Sequence, residues 1–213
     1  MKERPILFSA PMVRAILEDR KTVTRRIIEK PNRLGILSDL SGVVEVSHSE
    51  PYPQWWHLKA KSGLIGSIQC PYGQPGDQLW VKEALHRVGW ALVTPGVAAY
   101  TATGEGTRFQ WKWKNSGIPG MFCPRELSRI SLEVTGIRVE RLQDITPDEA
   151  AAEGLIQLKA TGRWVIAQGD QYFDLADHDP RRVFRRLWES INGPGSWGLN
   201  PWVWAIEFNK VKK

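Results

Sequence analysis

Hydrophobic residues recur along this chain at two different spacings, and each spacing predicts its own kind of element. Apolar positions at helical spacing occupy residues 12–17, behind the capping residue Ser9, and residues 183–191, behind Asp179 and Pro180. Both stretches predict short amphipathic helices that bury one face against the rest of the protein.

Alternating apolar and polar positions, or short apolar runs between turn residues, predict the strands. The segments with these patterns are residues 5–8, 22–28, 78–83, 108–114, 130–135 and 202–208, with hairpins predicted between 43–46 and 55–57 and over 162–172. We expect about six or seven strands of mostly antiparallel style. In the last segment Trp202, Trp204, Ile206 and Phe208 share one face, and we expect that face to be buried.

The order of these elements predicts the fold class. No regular alternation of strands and helices runs along the chain, so a doubly wound parallel sheet is not expected. The pattern favours the α+β class, as a small, mostly antiparallel β-barrel with three short helices and loop insertions. With 213 residues one core suffices, so we expect a single domain over 1–213, with insertions near residues 31–72, 89–120 and 156–178.

A capping box marks the third predicted helix. Thr146 and Glu149 have the required spacing, and Pro147 stands at the first helical position. Gly154 is suited to the position after the helix end, which makes Glu153 the last helical residue. A carboxylate there faces the negative end of the helix dipole, so it requires a cation opposite, unless it is simply exposed to solvent.

The junction between the first helix and the following strand concentrates reactive groups. Lys21, Thr24, Arg25 and Arg26 place an amine, a hydroxyl and two guanidiniums within six residues. Such a set can hold an anion or activate a nucleophile. The alternative is a solvated basic helix end that complements the helix dipole.

Charge and aromatic content favour an anionic partner. The chain has 29 Lys and Arg against 23 Asp and Glu, a net charge of +6, and 11 Trp residues. Trp111, Lys112 and Trp113 belong to a segment that alternates aromatic with basic residues, as a base-stacking and phosphate-binding strand does. The alternative is that these aromatic residues cover the core. Four arginines between 181 and 186 give the last helix a basic side, which can also be an ordinary solvated face.

Several classes of protein are not expected from this sequence. The two cysteines form no CxxC motif, and the four histidines lack the spacing of metal ligands, so we expect neither a metal nor another cofactor. The first residues lack the apolar run of a signal peptide, and no apolar stretch is long enough to cross a membrane. We expect a cytoplasmic protein without a membrane partner, and a monomer is favoured.

Several motifs together resemble those of the ASCH domain family, whose fold is PUA-like. The family motif Gly-x-Lys-x-x-Glu/Thr-x-Arg is matched by Lys21, Thr24 and Arg26, whereas Asp19 stands where glycine is usual. Further segments that resemble the family are the Gly-Asp turn at 76–77, the closing strand at 202–208, and the four-residue segments at 70–73 and 118–121. Together they are similar to a larger, prophage-type ASCH protein.

The resemblance implies a specific activity. One ASCH subgroup consists of amidohydrolases that remove the acetyl group from N4-acetylcytidine with a lysine, a threonine and a glutamate. These map to Lys21, Thr24 and Glu153. Threonine would be the nucleophile and lysine, with a lowered pKa, its base. Arg25 and Arg26 would lower that pKa, and Arg26 or a backbone N–H would hold the oxyanion.

The partner implied is a modified nucleoside, or RNA or DNA. Residues that we expect to contact it are Arg25, Arg26, Trp80, Glu83, Trp111, Lys112, Trp113, Arg125 and Arg129, with Trp80 the first choice for stacking on a base. Two other functions stay open at this point. One is a module that binds RNA or a modified base without chemistry, and the other is a ribonuclease.

Overall fold

The computed structural model describes residues 1–28, 45–48, 55–61, 63–89 and 96–211, and these form a mixed α+β structure that consists mostly of strands. The α-helices are α1 (Ala10–Leu17), α2 (Pro147–Ala152) and α3 (Pro180–Asn192), and the 3-10 helices are Gly120–Phe122, Arg125–Leu127, Leu142–Asp144 and Asp170–Phe173. The strands are β1 (Glu3–Leu7), β2 (Val23–Ile27), β3 (Glu45–His48), β4 (Trp55–Ala60), β5 (Gly63–Gln69), β6 (Gln78–Lys82), β7 (Leu85–Val88), β8 (Val97–Tyr100), β9 (Gly106–Gln110), β10 (Gly117–Ile118), β11 (Ser131–Arg141), β12 (Ile156–Gln157), β13 (Trp164–Val165) and β14 (Trp202–Lys210).

A five-stranded sheet in the order β1-β6-β11-β14-β2 forms the centre of the protein. All of its pairings are antiparallel except that of β1 with β6. One face of this sheet carries the main core, which includes Leu79, Val81, Leu132 and Ile206, all 0 % exposed. The segments predicted at 78–83, 130–135 and 202–208 are therefore confirmed as central strands.

The two edges of this sheet, β1 and β2, approach each other without a backbone ladder in the described residues. The guanidinium of Arg26 on β2 spans the gap, because its Nη2 donates to the carbonyl oxygen of Leu7 on β1 at 2.5 Å. The closed barrel that the resemblance implies stays a prediction.

The closing strand β14 is buried on the predicted face, and its opposite face is buried in part. Trp204, Ile206 and Phe208 enter the main core, as expected. Val203, from the opposite face, belongs to a second core that includes Val183 and other residues of α2 and α3. Residues of these helices pack with Val203 over part of the second face of the sheet, where Arg138 and Glu207 are partly exposed.

Two further sheets of three and four strands accompany the central one, and β12 and β13 form a separate two-stranded sheet. The strands β3, β4 and β5 pair antiparallel, which confirms the hairpin predicted from residues 43–46 and 55–57 where the structure describes it; residues 43 and 44 lie outside the described residues. The order of the four-stranded sheet is β10-β7-β8-β9. The described residues contain 14 strands, three of them only two residues long, so the expectation of six or seven strands is too low. Parts of the predicted insertions, residues 29–44, 49–54, 62 and 90–95, lie outside the described residues.

Two local predictions are wrong. The strand expected over 108–114 ends at Gln110, because Trp111 turns into the core of the four-stranded sheet and its indole N–H donates to Asn115 O at 2.9 Å. The hairpin expected over 162–172 does not form; β13 pairs with β12 instead. The Asp170 carboxylate accepts hydrogen bonds from the N–H groups of Ile166 and Ala167, and this turn leads into a 3-10 helix.

No helix in the described part of the chain is long and apolar enough to cross a membrane.

Candidate active site

A cavity of about 220 Å³ lies against the free edge of β2. Its polar wall includes Thr24, Arg25 and Arg26 from β2, Glu153 at the end of α2, and Asn192 at the end of α3. This wall contains two members of the trio that the resemblance implies. The third member, Lys21, contacts Glu153 directly.

The contact between Lys21 and Glu153 is short and shielded from solvent. Lys21 Nζ lies 2.5 Å from Glu153 Oε2 and also donates to the Glu153 carbonyl oxygen at 2.9 Å. The two residues are 2 % and 3 % exposed. Glu153 caps the C-terminal end of α2, so the lysine supplies the cation that a carboxylate at this position requires.

The turn after α1 brings Lys21 to this position. Asp19 has a left-handed φ of 58°, the conformation for which the family motif has glycine. The N–H groups of Arg20 and Lys21 then both bond to Ala15 O, which closes the turn. Lys21 and Glu153 form an isolated antiparallel bridge, and Thr22 N–H donates to Ala152 O at 3.0 Å. Two chain segments that are more than 100 residues apart in sequence are thereby fixed side by side.

Burial lowers the pKa of Lys21 below its ordinary value of 10.5. Glu153 opposes this effect, since its carboxylate and its hydrogen bond favour the protonated amine. The charges of Arg26 and Arg25 lower the pKa further. Burial and the two arginines therefore disfavour the protonated form of Lys21, whereas Glu153 favours it.

Thr24 and Arg26 lie on one face of β2, because successive side chains of a strand alternate. Thr24 is 1 % exposed as a residue and lines the cavity with Arg26. The ring of Phe8 lies close to both cations: its centroid is 5.8 Å from Lys21 Nζ and 5.2 Å from the Arg26 guanidinium carbon. Phe8 itself is buried in the main core, so both cations adjoin an apolar environment.

Arg25 is held by three carboxylates. Its side chain is fully buried and contacts Glu140 at 2.7 Å, Glu149 at 3.0 Å and Glu153 at 3.4 Å. Arg25 was expected to contact the substrate; it lines the cavity, but its guanidinium is bonded within the protein.

Glu83 and Arg129 form a further ion pair, with a buried carboxylate, away from this cavity. Both nitrogens of the Arg129 fork, Nε and Nη2, contact the Glu83 carboxylate at 2.9 Å, and Glu83 is 1 % exposed. The guanidinium also lies 3.8 Å from the ring centroid of Tyr100 and contacts Glu105. The structure therefore does not bring these two predicted residues to Lys21.

The predicted aromatic and basic contact residues are also dispersed. Trp80 is half-buried on β6 beside Arg125, whose guanidinium carbon is 5.8 Å from its ring and which pairs with Glu3. Trp111 and Trp113 pack against each other at 4.8 Å, and Lys112 Nζ lies 4.8 Å from the ring of Phe109. Trp80, Trp111, Lys112, Trp113 and Arg125 do not line the described cavity.

Other residues that the sequence did not single out line the cavity. Its apolar wall includes Met12 of α1, and Phe184, Leu187 and Trp188 of α3, with Tyr72 beside them. The apolar face of α3 was recognised from its spacing, but that spacing does not tell which part of the face borders a cavity. The exposed arginines of α3 are paired with neighbouring carboxylates: Arg181 with Asp179, Arg182 with Asp177, and Arg185 with Glu189.

The described residues contain no cluster of three or more His, Cys, Asp or Glu side chains placed to hold a metal ion. Comparisons of the chain with protein-family models, with curated proteins and with solved structures find no match.

Proposed function

We propose that this chain is an ASCH-type amidohydrolase with a PUA-like barrel, which deacylates N4-acetylcytidine or a closely related modified base. The observation that carries the proposal is the buried contact of Lys21 with Glu153 beside a cavity lined by Thr24. These are the three residues to which the sequence resemblance assigns catalysis. A modified nucleoside as partner, and a monomeric state, belong to the same proposal.

In the first step, the Thr24 hydroxyl oxygen attacks the carbonyl carbon of the acetyl amide, and its proton passes to neutral Lys21. The two N–H donors of a neutral amine are those that Glu153 already accepts, which leaves the nitrogen lone pair to take the proton. The carbonyl oxygen becomes an oxyanion. Arg26, on the same face of β2 as Thr24, supplies the opposing positive charge.

In the second step, the tetrahedral intermediate collapses and the bond between the carbonyl carbon and N4 breaks. Protonated Lys21 returns its proton to N4, so cytidine leaves with its amino group. A water molecule then hydrolyses the acetyl ester of Thr24, again with Lys21 as base, and acetate is released. Glu153 fixes the amine of Lys21 by accepting from it throughout.

The proposal is tested by incubating the purified protein with N4-acetylcytidine and separating cytidine from the substrate by chromatography. We expect turnover by the wild type and its loss in Lys21→Ala and Thr24→Ala. Lys112→Ala is a matched control, because it removes an exposed cation outside the cavity. It should leave kcat/KM unchanged.

No turnover by a folded wild-type protein would contradict the proposal. The alternative of a binding module would then predict retention of RNA or of a modified base without turnover, with affinity that falls steeply as salt increases. In that case Lys112→Ala should weaken binding, whereas Lys21→Ala should not.

A further inference from the structure

We propose that Arg25 is a positioning residue, whose guanidinium holds the Glu153 carboxylate in the orientation that it needs to act on Lys21. The catalytic readout of this inference rests on the proposed amidohydrolase function. The inference assigns Arg25 a role different from the substrate contact expected from the sequence.

The contacts of Arg25 involve every nitrogen of its guanidinium. Nε donates to Glu140 at 2.8 Å, Nη2 donates to Glu149 at 3.0 Å, and Nη1 donates to Glu153 at 3.4 Å. The side chain is 0 % exposed. An arginine bonded in this way has its position fixed by three elements, namely β2, β11 and α2.

The two oxygens of Glu153 are divided between two cations. Oε2 contacts Lys21, and Oε1 contacts Arg25. Rotation of the carboxylate would break one or both contacts, so Arg25 restricts the orientation in which Glu153 meets Lys21. Without Arg25, the plane of the carboxylate could tilt away from the amine, because only the contact with Lys21 would then hold it.

Arg25 also joins the two ends of α2. Glu149 and Glu153 are four residues apart, so they lie on one side of the helix and repel each other. Arg25 contacts both carboxylates and removes this repulsion. Glu149 in addition accepts from Thr146 N–H at 3.0 Å in the capping box, which anchors the network to the start of the helix.

The charges around Lys21 give this role a distinct signature. The groups that face Lys21 are Glu153 from α2, and Arg25 and Arg26 from β2. Removal of Arg25 deletes one repelling cation and leaves Glu153 less neutralised. Both changes favour protonated Lys21, so its pKa should rise, and the acidic limb of the pH–rate profile should move to higher pH.

The test compares Arg25→Met and Arg25→Lys with Arg138→Met. Arg138 is the matched control, since it contacts Glu140, Glu149 and Glu207 of the same network, but its contacts do not include Glu153. Two quantities are measured: kcat/KM for N4-acetylcytidine across pH, and the titration of Lys21 by NMR of its side-chain carbon next to Nζ. The second measurement needs no substrate.

We expect Arg25→Met to lower kcat about 10- to 100-fold, as loss of a supporting residue does, and to move the acidic limb and the NMR titration upward by about one pH unit or more. Arg25→Lys keeps the charge and loses the planar set of guanidinium donors. We therefore expect kcat to fall, with a smaller movement of the acidic limb of the pH–rate profile than in Arg25→Met. Arg138→Met should change neither the acidic limb of the pH–rate profile nor the NMR titration of Lys21.

Equal behaviour of Arg25→Met and Arg138→Met would overturn the inference, because Arg25 would then act only as part of the general ion-pair network. If Arg25→Met does not fold, wild-type kcat in Arg25→Lys would overturn it equally. If the wild type does not turn over N4-acetylcytidine, the proposed function fails. The NMR titration of Lys21 then still decides the role of Arg25: an unchanged pKa in Arg25→Met would contradict it.

Discussion

The ion pairs Lys21–Glu153 and Arg129–Glu83 differ in chemistry and in surroundings. Lys21 and Glu153 meet through one short contact, beside a cavity. Arg129 and Glu83 meet through two parallel hydrogen bonds. The Arg129 guanidinium also lies against the ring of Tyr100, and the pair lies outside that cavity. In each pair the carboxylate is almost fully buried.

The difference between the two cations indicates which of the two ion pairs can take part in proton transfer. An arginine keeps its proton at any physiological pH, and a two-point contact fixes both partners. A lysine whose pKa is lowered by burial can lose its proton and take another. We therefore interpret the pair of Arg129 as a structural clamp between β6 and the segment before β11, and the pair of Lys21 as the reactive one.

The two pairs should differ strongly in their effect on turnover when the carboxylate of each is neutralised. Glu153→Gln should lower kcat/KM for N4-acetylcytidine by about 10²- to 10⁴-fold, the usual contribution of a group that supports proton transfer. Glu83→Gln should leave kcat/KM per folded molecule essentially unchanged. Steady-state kinetics on both variants, corrected for the folded fraction, test this. Equal losses in the two variants would remove the distinction.

Stability should also respond to loss of the Glu83 carboxylate. Glu83→Gln leaves Arg129 without its buried partner and should lower the free energy of unfolding by about 3 kcal/mol, as broken buried pairs do. Glu105→Gln is the matched control, because Glu105 contacts the same guanidinium but is mostly exposed. It should cost no more than about 1 kcal/mol in urea unfolding. A small effect of both would contradict the structural clamp.

Gly154→Ala tests how tightly the backbone around Lys21 is packed. The added Cβ would lie 2.7 Å from Ala15 Cβ and 3.1 Å from Lys21 Cβ, at a residue with φ of +103°. We expect a loss of about 1–3 kcal/mol and of turnover, since Lys21 must move. Gly162→Ala, at φ +67° with open space around it, isolates the backbone effect. It should cost about 1 kcal/mol and leave turnover intact.

The pH dependence of stability should also distinguish Lys21. Because its folded-state pKa lies below 10.5, the unfolded chain binds this proton more tightly than the folded protein does. The resulting penalty on folding is fully present below the folded pKa and disappears as pH rises to about 10.5. The stability of the wild type minus that of Lys21→Met should therefore rise with pH, by about 1.4 kcal/mol per unit of pKa shift. Thermal melts of both proteins measure it, and a flat or falling difference would contradict it.

The parts of the fold that depend on local rules could be predicted from the sequence. The capping box of Thr146 and Glu149, with Gly154 after the helix, placed Glu153 at a helix end, and the structure confirms each of these features. The argument that a carboxylate there needs a cation is also confirmed, although the position of Lys21 came from the family motif. The closing strand was found by its alternation.

The parts that depend on long-range packing could not be predicted. Trp80 and Trp188 each follow a leucine within a strand or helix, so their local sequence does not tell which of the two borders a cavity. Only the packing of α3 against the edge of β2 makes Trp188 a wall of the cavity. The partners of Arg25 come from β11 and α2, more than 100 residues away, and no spacing rule joins them. Pairing of β13 with β12 likewise depends on a chain reversal that the turn residues at 168–170 did not indicate.

The most direct test of the central claim exchanges the cation of each pair for the other type. Lys21→Arg keeps the charge but cannot give up a proton, whereas Arg129→Lys keeps the charge and loses the fork. Hydrolysis of N4-acetylcytidine by the two folded variants is then measured side by side. We predict no turnover by Lys21→Arg, and wild-type kcat/KM in Arg129→Lys with lowered stability. An active Lys21→Arg variant would contradict the claim that Lys21 exchanges a proton during the reaction.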